Sequence, residues 1–350
     1  MPRTHRDPAL AHALRRRDVL GVAAGTAAAA VLGAVGAAHA TAADGGGRGA
    51  PAVPRGRLGI QLYTVRDQVA ALGFGRVFEE LRAHGYEEVE FAGYTQDQVG
   101  PLTLAELRRL LADNGLRAVG SHVDYWSDDP DAYTFATRLE QVLDDAEALG
   151  LRHIGTASSP ARYGTTVDAW KRAAEEFNTY GEAARARGMT FYHHNHVEEF
   201  AFAADRPDVR LYDLLLAETD RDLVHLEMDV YWASCGQYRY SVRPDGVPAP
   251  FEPLDYVRAD PGRYPLFHVK DGEHDETSAD GYRMVDVGDG DLDYRRFLAE
   301  VGRLPGRRGH HWLVERDDAV DPEVNPAGSL TTARRSAAYL RSLRTGRARR

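Results

Sequence analysis

Gly59-Ile60-Gln61-Leu62-Tyr63-Thr64-Val65-Arg66-Asp67 is the stretch that decides between two α/β folds for this chain. A doubly wound sheet that binds a dinucleotide carries a glycine-rich turn after its first strand, because only glycine lets the backbone approach the pyrophosphate. Here the apolar strand residues run directly into Tyr63-Thr64-Val65-Arg66-Asp67, which contains no glycine. The stretch therefore favours a closed parallel barrel over an open nucleotide-binding sheet.

Eight short apolar segments alternate with longer segments of helical periodicity in the rest of the chain. The predicted strands are Gly59–Thr64, Glu88–Phe91, Ala118–His122, His153–Thr156, Thr190–His194, Val224–Asp229, Leu266–Lys270 and Trp312–Glu315. Predicted helices include Phe74–His84, Leu104–Asn114, Ala132–Leu149, Ala169–Arg187 and Tyr294–Val301. Four helices end at a glycine suited to a left-handed cap, namely Gly85, Gly115, Gly150 and Gly188. This order predicts one α/β domain, a (β/α)8 TIM barrel over residues 57–345.

The first 56 residues indicate targeting rather than fold. Arg16 and Arg17 precede a run rich in Ala, Gly and Val that ends at Ala38-His39-Ala40, a cleavable pattern. Residues 1–40 thus resemble a twin-arginine-type signal peptide, which predicts export of the folded protein. The alternative is an uncleaved membrane anchor, although the run is only weakly hydrophobic. Residues 41–56 are predicted to be a flexible linker and residues 346–350 a disordered tail.

Composition narrows the classes of partner. The 350 residues carry a formal net charge of −10, so most of the surface would repel a polyanion such as DNA. We therefore expect a small-molecule partner and no nucleic acid, with no stable membrane association after signal cleavage; a homo-oligomer stays open. A single cysteine, Cys235, excludes an internal disulfide framework.

Candidate metal ligands follow four successive predicted strands. Active sites of barrels lie at the C-terminal ends of the strands, and alternation places one set of side chains from each strand in the barrel mouth. One residue from each strand gives His194, Asp229, His268 and Glu315. This nitrogen and oxygen set suits Mn²⁺, Zn²⁺, Co²⁺ or Fe²⁺ better than Ca²⁺, which prefers oxygen alone. We therefore expect one divalent ion, with Mg²⁺ as a further alternative.

Each of these residues also has an ordinary structural explanation. A strand-end histidine is often a hydrogen-bonded structural residue, and a strand-end aspartate often caps the following helix. The coincidence of four ligand types at four successive strand ends favours the metal site. His193 and Asn195 are expected to face away from the centre and to support it.

Further polar and aromatic residues are candidates for the substrate. Hydrogen bonds to a polyol are predicted for Glu90, His122 and Lys270, and stacking on a sugar ring for Tyr63, Tyr125 and Trp232. For Glu90 and the aromatic residues, a place in the core or on the rim is the alternative. Glu198 and Glu199 follow the histidine cluster, and either is a general base or simply solvated.

The motifs resemble the sugar phosphate isomerase/epimerase superfamily, the xylose-isomerase-like barrels, over nearly all of residues 57–345. The resemblance is to a mostly secreted bacterial branch and rests on six strings: Gly59–Asp67, Tyr192–Phe200, Met228–Trp232, Pro261–Pro265, His268–Asp271 and Val314–Asp317. It implies a metal held by Glu, Asp, His and Glu, of which Asp229, His268 and Glu315 match three. His194 stands where relatives carry a glutamate that is both ligand and base, so their two-glutamate proton transfer does not carry over intact.

The resemblance implies a divalent-metal-dependent isomerase or epimerase that removes a proton next to the carbonyl of a sugar, keto-sugar or polyol. Catalytic candidates are Glu315, with His194 or Glu199 as a second acid or base, and His122 and Glu198 stay open for that second role. Dehydration or β-elimination from a 3-keto glycoside shares the first step, so a lyase is the alternative. A non-catalytic exported sugar-binding protein, an endonuclease and a metal-dependent hydrolase are the remaining rivals.

Overall fold

Eight parallel strands close into a barrel in the computed structural model of the chain, which describes residues 49–93, 102–306 and 309–345. The strands are β1 Leu58–Gln61, β2 Glu88–Ala92, β3 Arg117–His122, β4 His153–Thr156, β5 Thr190–His194, β6 Val224–Asp229, β7 Leu266–Val269 and β10 His311–Val314. Strand β1 pairs with both β2 and β10, which closes the ring. A two-stranded antiparallel hairpin, β8 Asp271–His274 and β9 Tyr282–Val285, leaves the rim after β7. The predicted TIM barrel is confirmed.

Nine α-helices lie in the described part of the chain. They are α1 Arg66–His84, α2 Leu104–Asp113, α3 Phe135–Leu149, α4 Val167–Ala186, α5 Leu211–Glu218, α6 Val230–Arg239, α7 Pro253–Ala259, α8 Tyr294–Val301 and α9 Ser329–Ser342. Local sequence fixes several of their starts: Thr103 and Glu106 form a reciprocal capping box at α2. None of the described helices is long and apolar enough to cross a membrane.

The main differences from the predicted elements are at element ends and in the second half of the chain. The first strand was predicted to reach Thr64 but ends at Gln61, because Leu62–Val65 form a 3-10 helix that leads into α1. Helix α3 begins at Phe135 rather than Ala132, where Thr134 caps it. Helices α5, α6, α7 and α9 and the β8–β9 hairpin were not predicted. All four predicted cap glycines have positive φ, from 65° to 96°.

The barrel interior is layered along its axis. On β7 and β10 the inward positions alternate from one end to the other, with Leu266 below His268 and Leu313 below Glu315. Leu266 and Leu313 form a buried apolar cluster with Val119 and Tyr192. Polar side chains lie on both sides of this layer, so it separates the C-terminal rim from the N-terminal end of the barrel. The larger apolar core packs between strands and helices, as in the stacked rings of Phe267 and Trp312, 4.6 Å apart.

The chain termini lie partly outside the described residues. The predicted signal peptide at residues 1–40, the first half of the predicted linker at 41–48 and the predicted tail at 346–350 fall there. The described end of the linker lies against the C-terminal segment, where Ala52 N donates a hydrogen bond to Leu343 O at 3.1 Å.

Candidate metal centre

The four predicted ligands lie together at the C-terminal rim of the barrel. His194 and Asp229 end β5 and β6, His268 lies in β7, and Glu315 directly follows β10. One ligand atom from each lies within 4.8 Å of the others, and all four residues are buried. The structure thus supplies the convergence that a metal site requires, while metal binding itself stays a prediction.

A second set of potential ligands lies deeper and shares two histidines with the first. It consists of His122, His194, Glu227 and His268. The shared imidazoles use opposite nitrogens: His194 Nδ1 is 3.1 Å from Glu227 Oε2, whereas its Nε2 is 3.7 Å from Asp229 Oδ2. His268 Nε2 is 3.1 Å from Glu227 Oε2, whereas its Nδ1 is 2.6 Å from Glu315 Oε2. The two imidazoles therefore connect an inner carboxylate to an outer ligand group.

Glu227 is the centre of the inner group, and it is not among the site residues predicted from the sequence. Its Oε2 lies 2.7 Å from His122 Nε2 and 3.1 Å from ring nitrogens of both His194 and His268. Its other oxygen, Oε1, is buried and accepts no hydrogen bond from the described residues. The available signal was the spacing, because residues two apart on β6 share a face and Glu227 precedes Asp229 by two.

Glu90 also faces the barrel interior and supports His268. Its carboxylate accepts hydrogen bonds from Gln61 Nε2, at 2.8 Å, and from the Tyr192 hydroxyl, and lies 2.6 Å from His268 Nε2. A Cβ at Gly120 would come within 3.0 Å of both the Tyr192 hydroxyl and Glu90, so glycine makes room for this pair. Glu90 is completely buried, and its predicted contact with a substrate stays a prediction.

Lys270 places a buried positive charge at the outer edge of the cluster. Its Nζ lies 3.0 Å from Asp229 Oδ2, 2.8 Å from Glu315 Oε2 and 2.8 Å from Asp317 Oδ1. Burial disfavours the ammonium, but the three carboxylates outweigh it and raise the pKa of Lys270 well above its ordinary value. Burial raises the pKa of Asp317 to about 6, with Lys270 acting against the rise. A charged lysine next to a partly exposed carboxyl of near-neutral pKa is an arrangement suited to proton exchange.

The histidines of the cluster differ in protonation. Burial, followed by the neighbouring charge of His268, lowers the pKa of His194 well below its ordinary value. Burial also opposes charge on His268, but Glu227, Glu315 and Glu90 together raise its pKa well above the ordinary value. His194 is therefore neutral and His268 is charged. A neutral imidazole can bind a metal without losing a proton, so His194 is the nitrogen ligand that needs no proton loss.

Asp229 both caps a helix and faces the ligand cluster, which are the two roles expected of an aspartate at the end of a strand. Its Oδ1 accepts a hydrogen bond from Trp232 N at 2.8 Å and so caps α6, while Oδ2 is directed at the cluster. Asn195 holds the same residue by the backbone: its Oδ1 accepts from Asp229 N at 3.1 Å and its Nδ2 donates to Asp229 O at 3.2 Å. His193 packs against Phe177 away from the ligands, with ring centroids 5.4 Å apart. Both residues face away from the centre, as the alternation of β5 predicts.

The aromatic candidates have different surroundings. Trp232 is half-buried and lies beside the cluster, its ring 5.5 Å from Lys270 Nζ and 5.8 Å from the His196 ring. Tyr63 is also half-buried, with the Arg66 guanidinium 3.6 Å from its ring centroid. Tyr125 is completely buried and packs against Phe177 at 4.9 Å, so it takes the core position that was the alternative to stacking on a sugar.

The acidic pair after β5 lies in neither ligand set. Glu199 is completely buried, and its Oε2 accepts a hydrogen bond from His196 N at 2.7 Å. Burial raises the pKa of Glu199 to about 7, a value at which acid–base catalysis is efficient. Its role as a catalytic group stays a prediction. Glu198 is 63% exposed and lies 4.0 Å from Arg239, as a solvated residue would.

The residues present fit a divalent cation. Glu227 Oε1 is a buried oxygen that accepts no hydrogen bond from the described residues, and such an atom is costly unless positive charge compensates it. Asp229 Oδ2 also accepts no well-aligned hydrogen bond, and Lys270 Nζ lies 3.0 Å from it. Two imidazole nitrogens and two carboxylate oxygens are the donors that first-row divalent metals bind in proteins. His194, Asp229, His268 and Glu315 would hold the ion, and Glu227 and Glu90 would accept hydrogen bonds from the opposite ring nitrogens of the two histidines.

A family model described as the xylose isomerase-like TIM barrel matches residues 78–343, which is most of the chain. The chain belongs to this family. Membership agrees with the closed barrel and with a cluster of ligand-type residues at its C-terminal rim. The family resemblance inferred from the sequence motifs is therefore confirmed at the level of the barrel family. No curated protein matches the chain.

Several solved structures are similar to this chain in fold. A sugar phosphate isomerase/epimerase from Parabacteroides distasonis shares 23% identity, with a TM-score of 0.63, over 83% of this chain and 95% of its own. The IOLI protein, solved with a bound zinc atom, shares 14% identity, with a TM-score of 0.57, over 82% and 98%. A family 2 AP endonuclease from Brucella melitensis shares 15% identity, with a TM-score of 0.51, over 73% and 92%. At these identities the likeness establishes the fold.

Proposed function

We propose that the protein is a divalent-metal-dependent isomerase or epimerase that moves a proton next to the carbonyl of a sugar, keto-sugar or polyol. The observation that carries the proposal is the convergence of His194, Asp229, His268 and Glu315 at the rim of the barrel. The similarity to the Parabacteroides sugar phosphate isomerase/epimerase supports the same reaction class. The similarity to the Brucella AP endonuclease suggests endonuclease activity as another hypothesis. The net charge of −10 argues against it, because an acidic surface repels the nucleic acid backbone.

The chain itself provides binding and orientation. A bound divalent ion would act as a Lewis acid that lowers the pKa of the proton next to a coordinated carbonyl. Asn195 fixes the backbone of Asp229, and Glu227 fixes the ring orientation of His194 and His268. The half-buried face of Trp232, close to Lys270, offers an apolar wall for a sugar ring.

Proton transfer falls to the groups at the outer edge of the cluster. Burial opposes charge on Glu315, but Lys270 and His268 outweigh it and hold its pKa well below the ordinary value, so Glu315 is ionised and can accept a proton. Asp317, 30% exposed and with a pKa of about 6, can supply or collect a second proton. Lys270 links the two carboxylates, because its Nζ lies within 2.8 Å of both. In this proposal, Glu315 and Asp317 take the place of the two glutamates of the relatives, whose arrangement does not carry over intact because His194 stands at one of the two positions.

Solvent-deuterium exchange tests the proposal. The purified metal-loaded protein is incubated in D₂O with keto-sugars, inososes and 3-keto glycosides, and the products are followed by NMR. We expect deuterium at the carbon next to the carbonyl, and its loss in Asp229→Asn. Formation of an unsaturated sugar would assign the lyase reaction to the same site. Hydrolysis without carbon-bound deuterium, or no exchange with any of these compounds, would overturn the proposal.

A further inference from the structure

The N-terminal end of the barrel, opposite the metal cluster, contains a cavity of about 940 Å³. Its wall includes the first residues of several strands, among them Glu88 of β2, Arg117 of β3, His153 of β4 and His311 of β10. The volume lies within the range of sites that hold small molecules. The apolar layer of Val119, Tyr192, Leu266 and Leu313 separates this cavity from the rim.

The charge of the cavity is opposite to that of the whole protein. Among the described residues, its lining contains five arginines and one carboxylate, Glu88; the arginines are Arg55, Arg57, Arg108, Arg117 and Arg152. The chain as a whole carries a net charge of −10. A strongly basic cavity on an acidic protein has a positive electrostatic potential, which attracts anions to the cavity.

The carboxylate of Glu88 already has positive partners. Glu88 is buried, with its Oε1 2.9 Å from Arg117 Nη2 and 3.9 Å from Arg57 Nη1, and its Oε2 2.7 Å from His311 Nδ1. In the described part of the chain, Arg55, Arg108 and Arg152 take part in no ion pair. Arg108 does donate a hydrogen bond to Ala148 O at 3.3 Å, which leaves its charge without an acidic partner. Three guanidinium groups around the cavity are thus available to an anion.

We propose that this cavity binds a small polyvalent phosphate, with Arg108 and Arg152 among its ligands. Guanidinium groups bind phosphate oxygens through paired, directional hydrogen bonds, which a cavity walled by arginines supplies from several sides. The site is distinct from the sugar site, because the apolar layer lies between them and no residue of either metal-ligand set lines the cavity.

Calorimetric titration with inorganic pyrophosphate tests the proposal, and neighbouring arginines of α2 provide a matched pair of variants. Arg108 lines the cavity, whereas Arg109 does not and is 80% exposed, close to Asp113. Arg108→Glu and Arg109→Glu change the net charge equally, and Arg152→Glu provides a second cavity variant. Any removal of metal by pyrophosphate would affect all variants alike, since none of them touches the metal cluster.

We expect saturable binding at one site per chain in the wild type, at least tenfold weaker in Arg108→Glu and Arg152→Glu and within twofold of wild type in Arg109→Glu. Orthophosphate should bind at least tenfold more weakly than pyrophosphate. Equal weakening in Arg109→Glu would show attraction by general charge alone, and the absence of saturable binding would show that the cavity takes no such anion. Either result overturns the proposal without affecting the proposed sugar chemistry.

Discussion

The side-chain amide of Asn195 forms two hydrogen bonds with the backbone of Asp229: its Oδ1 accepts from the N–H at 3.1 Å and its Nδ2 donates to the carbonyl at 3.2 Å. This pair joins the end of β5 to the end of β6 and holds Asp229 where it can both cap α6 and face the ligand cluster. A residue that contacts no ligand atom of the cluster thereby controls the position of a predicted metal ligand.

Asn195→Asp should lower both the stability of the folded protein and the affinity of the site for a metal ion. An ionised aspartate cannot donate to the carbonyl of Asp229, and two acceptors would face each other in a buried place. We expect the free energy of unfolding to fall by about 1–3 kcal/mol, measured by urea denaturation. Unchanged stability would mean that this hydrogen-bonded pair does not form.

Glu227→Gln should lower metal affinity by about 10–100-fold, the usual cost of losing a group that orients histidine ligands. The amide keeps the shape of the side chain but loses the charge that three imidazole nitrogens face within 3.1 Å. Competition titration with a chromogenic chelator measures the change. Glu88→Gln is the control, because Glu88 is equally buried but lies at the far end of the barrel, and its metal affinity should stay within twofold of wild type.

Lys270→Met should make folding depend on metal. Lys270 is the buried cation closest to Asp229 and Asp317, and it shares Glu315 with His268, so its loss leaves His268 as the remaining cation beside these carboxylates. The metal-free variant should lose about 3–5 kcal/mol of unfolding free energy. Added Mn²⁺ or Zn²⁺ should raise its melting temperature more than that of the wild type. An equal rise in both proteins would contradict the competition between Lys270 and the metal for the same oxygens.

The sequence alone allowed some site residues to be predicted. Others could not be predicted, because their role depends on how deep they lie along the barrel axis. His194, Asp229, His268 and Glu315 were recognisable because parallel strands end at one rim. Glu227 was missed because strand alternation gives the face of a residue and not its depth along the axis. Helix α6 was missed because it begins directly at Val230 after β6, without a loop, and the short helix α5 is too apolar to show a clear polar face.

Glu199 should make stability depend on pH. The folded protein keeps this carboxyl protonated up to about pH 7, whereas its ordinary pKa is 4.5, so the folded state binds more protons between these values. Stability therefore falls as pH rises through this window, by up to about 3 kcal/mol. Glu199→Gln can still accept from His196 N but cannot ionise, so the stability of the wild type relative to this variant should decline from pH 4.5 to pH 7. A constant difference across that range would exclude a raised pKa.

The most direct test of the site is the metal content of the purified protein and of two neighbouring variants. Asp229→Asn removes a predicted ligand charge, whereas Asp317→Asn removes a carboxylate that contacts Lys270 but belongs to neither ligand set. By inductively coupled plasma mass spectrometry, we predict about one divalent ion per chain in the wild type and in Asp317→Asn, and less than a tenth of that in Asp229→Asn. The predicted metal site would be contradicted if metal-free wild-type protein bound no added divalent ion, or if Asp229→Asn kept full metal occupancy.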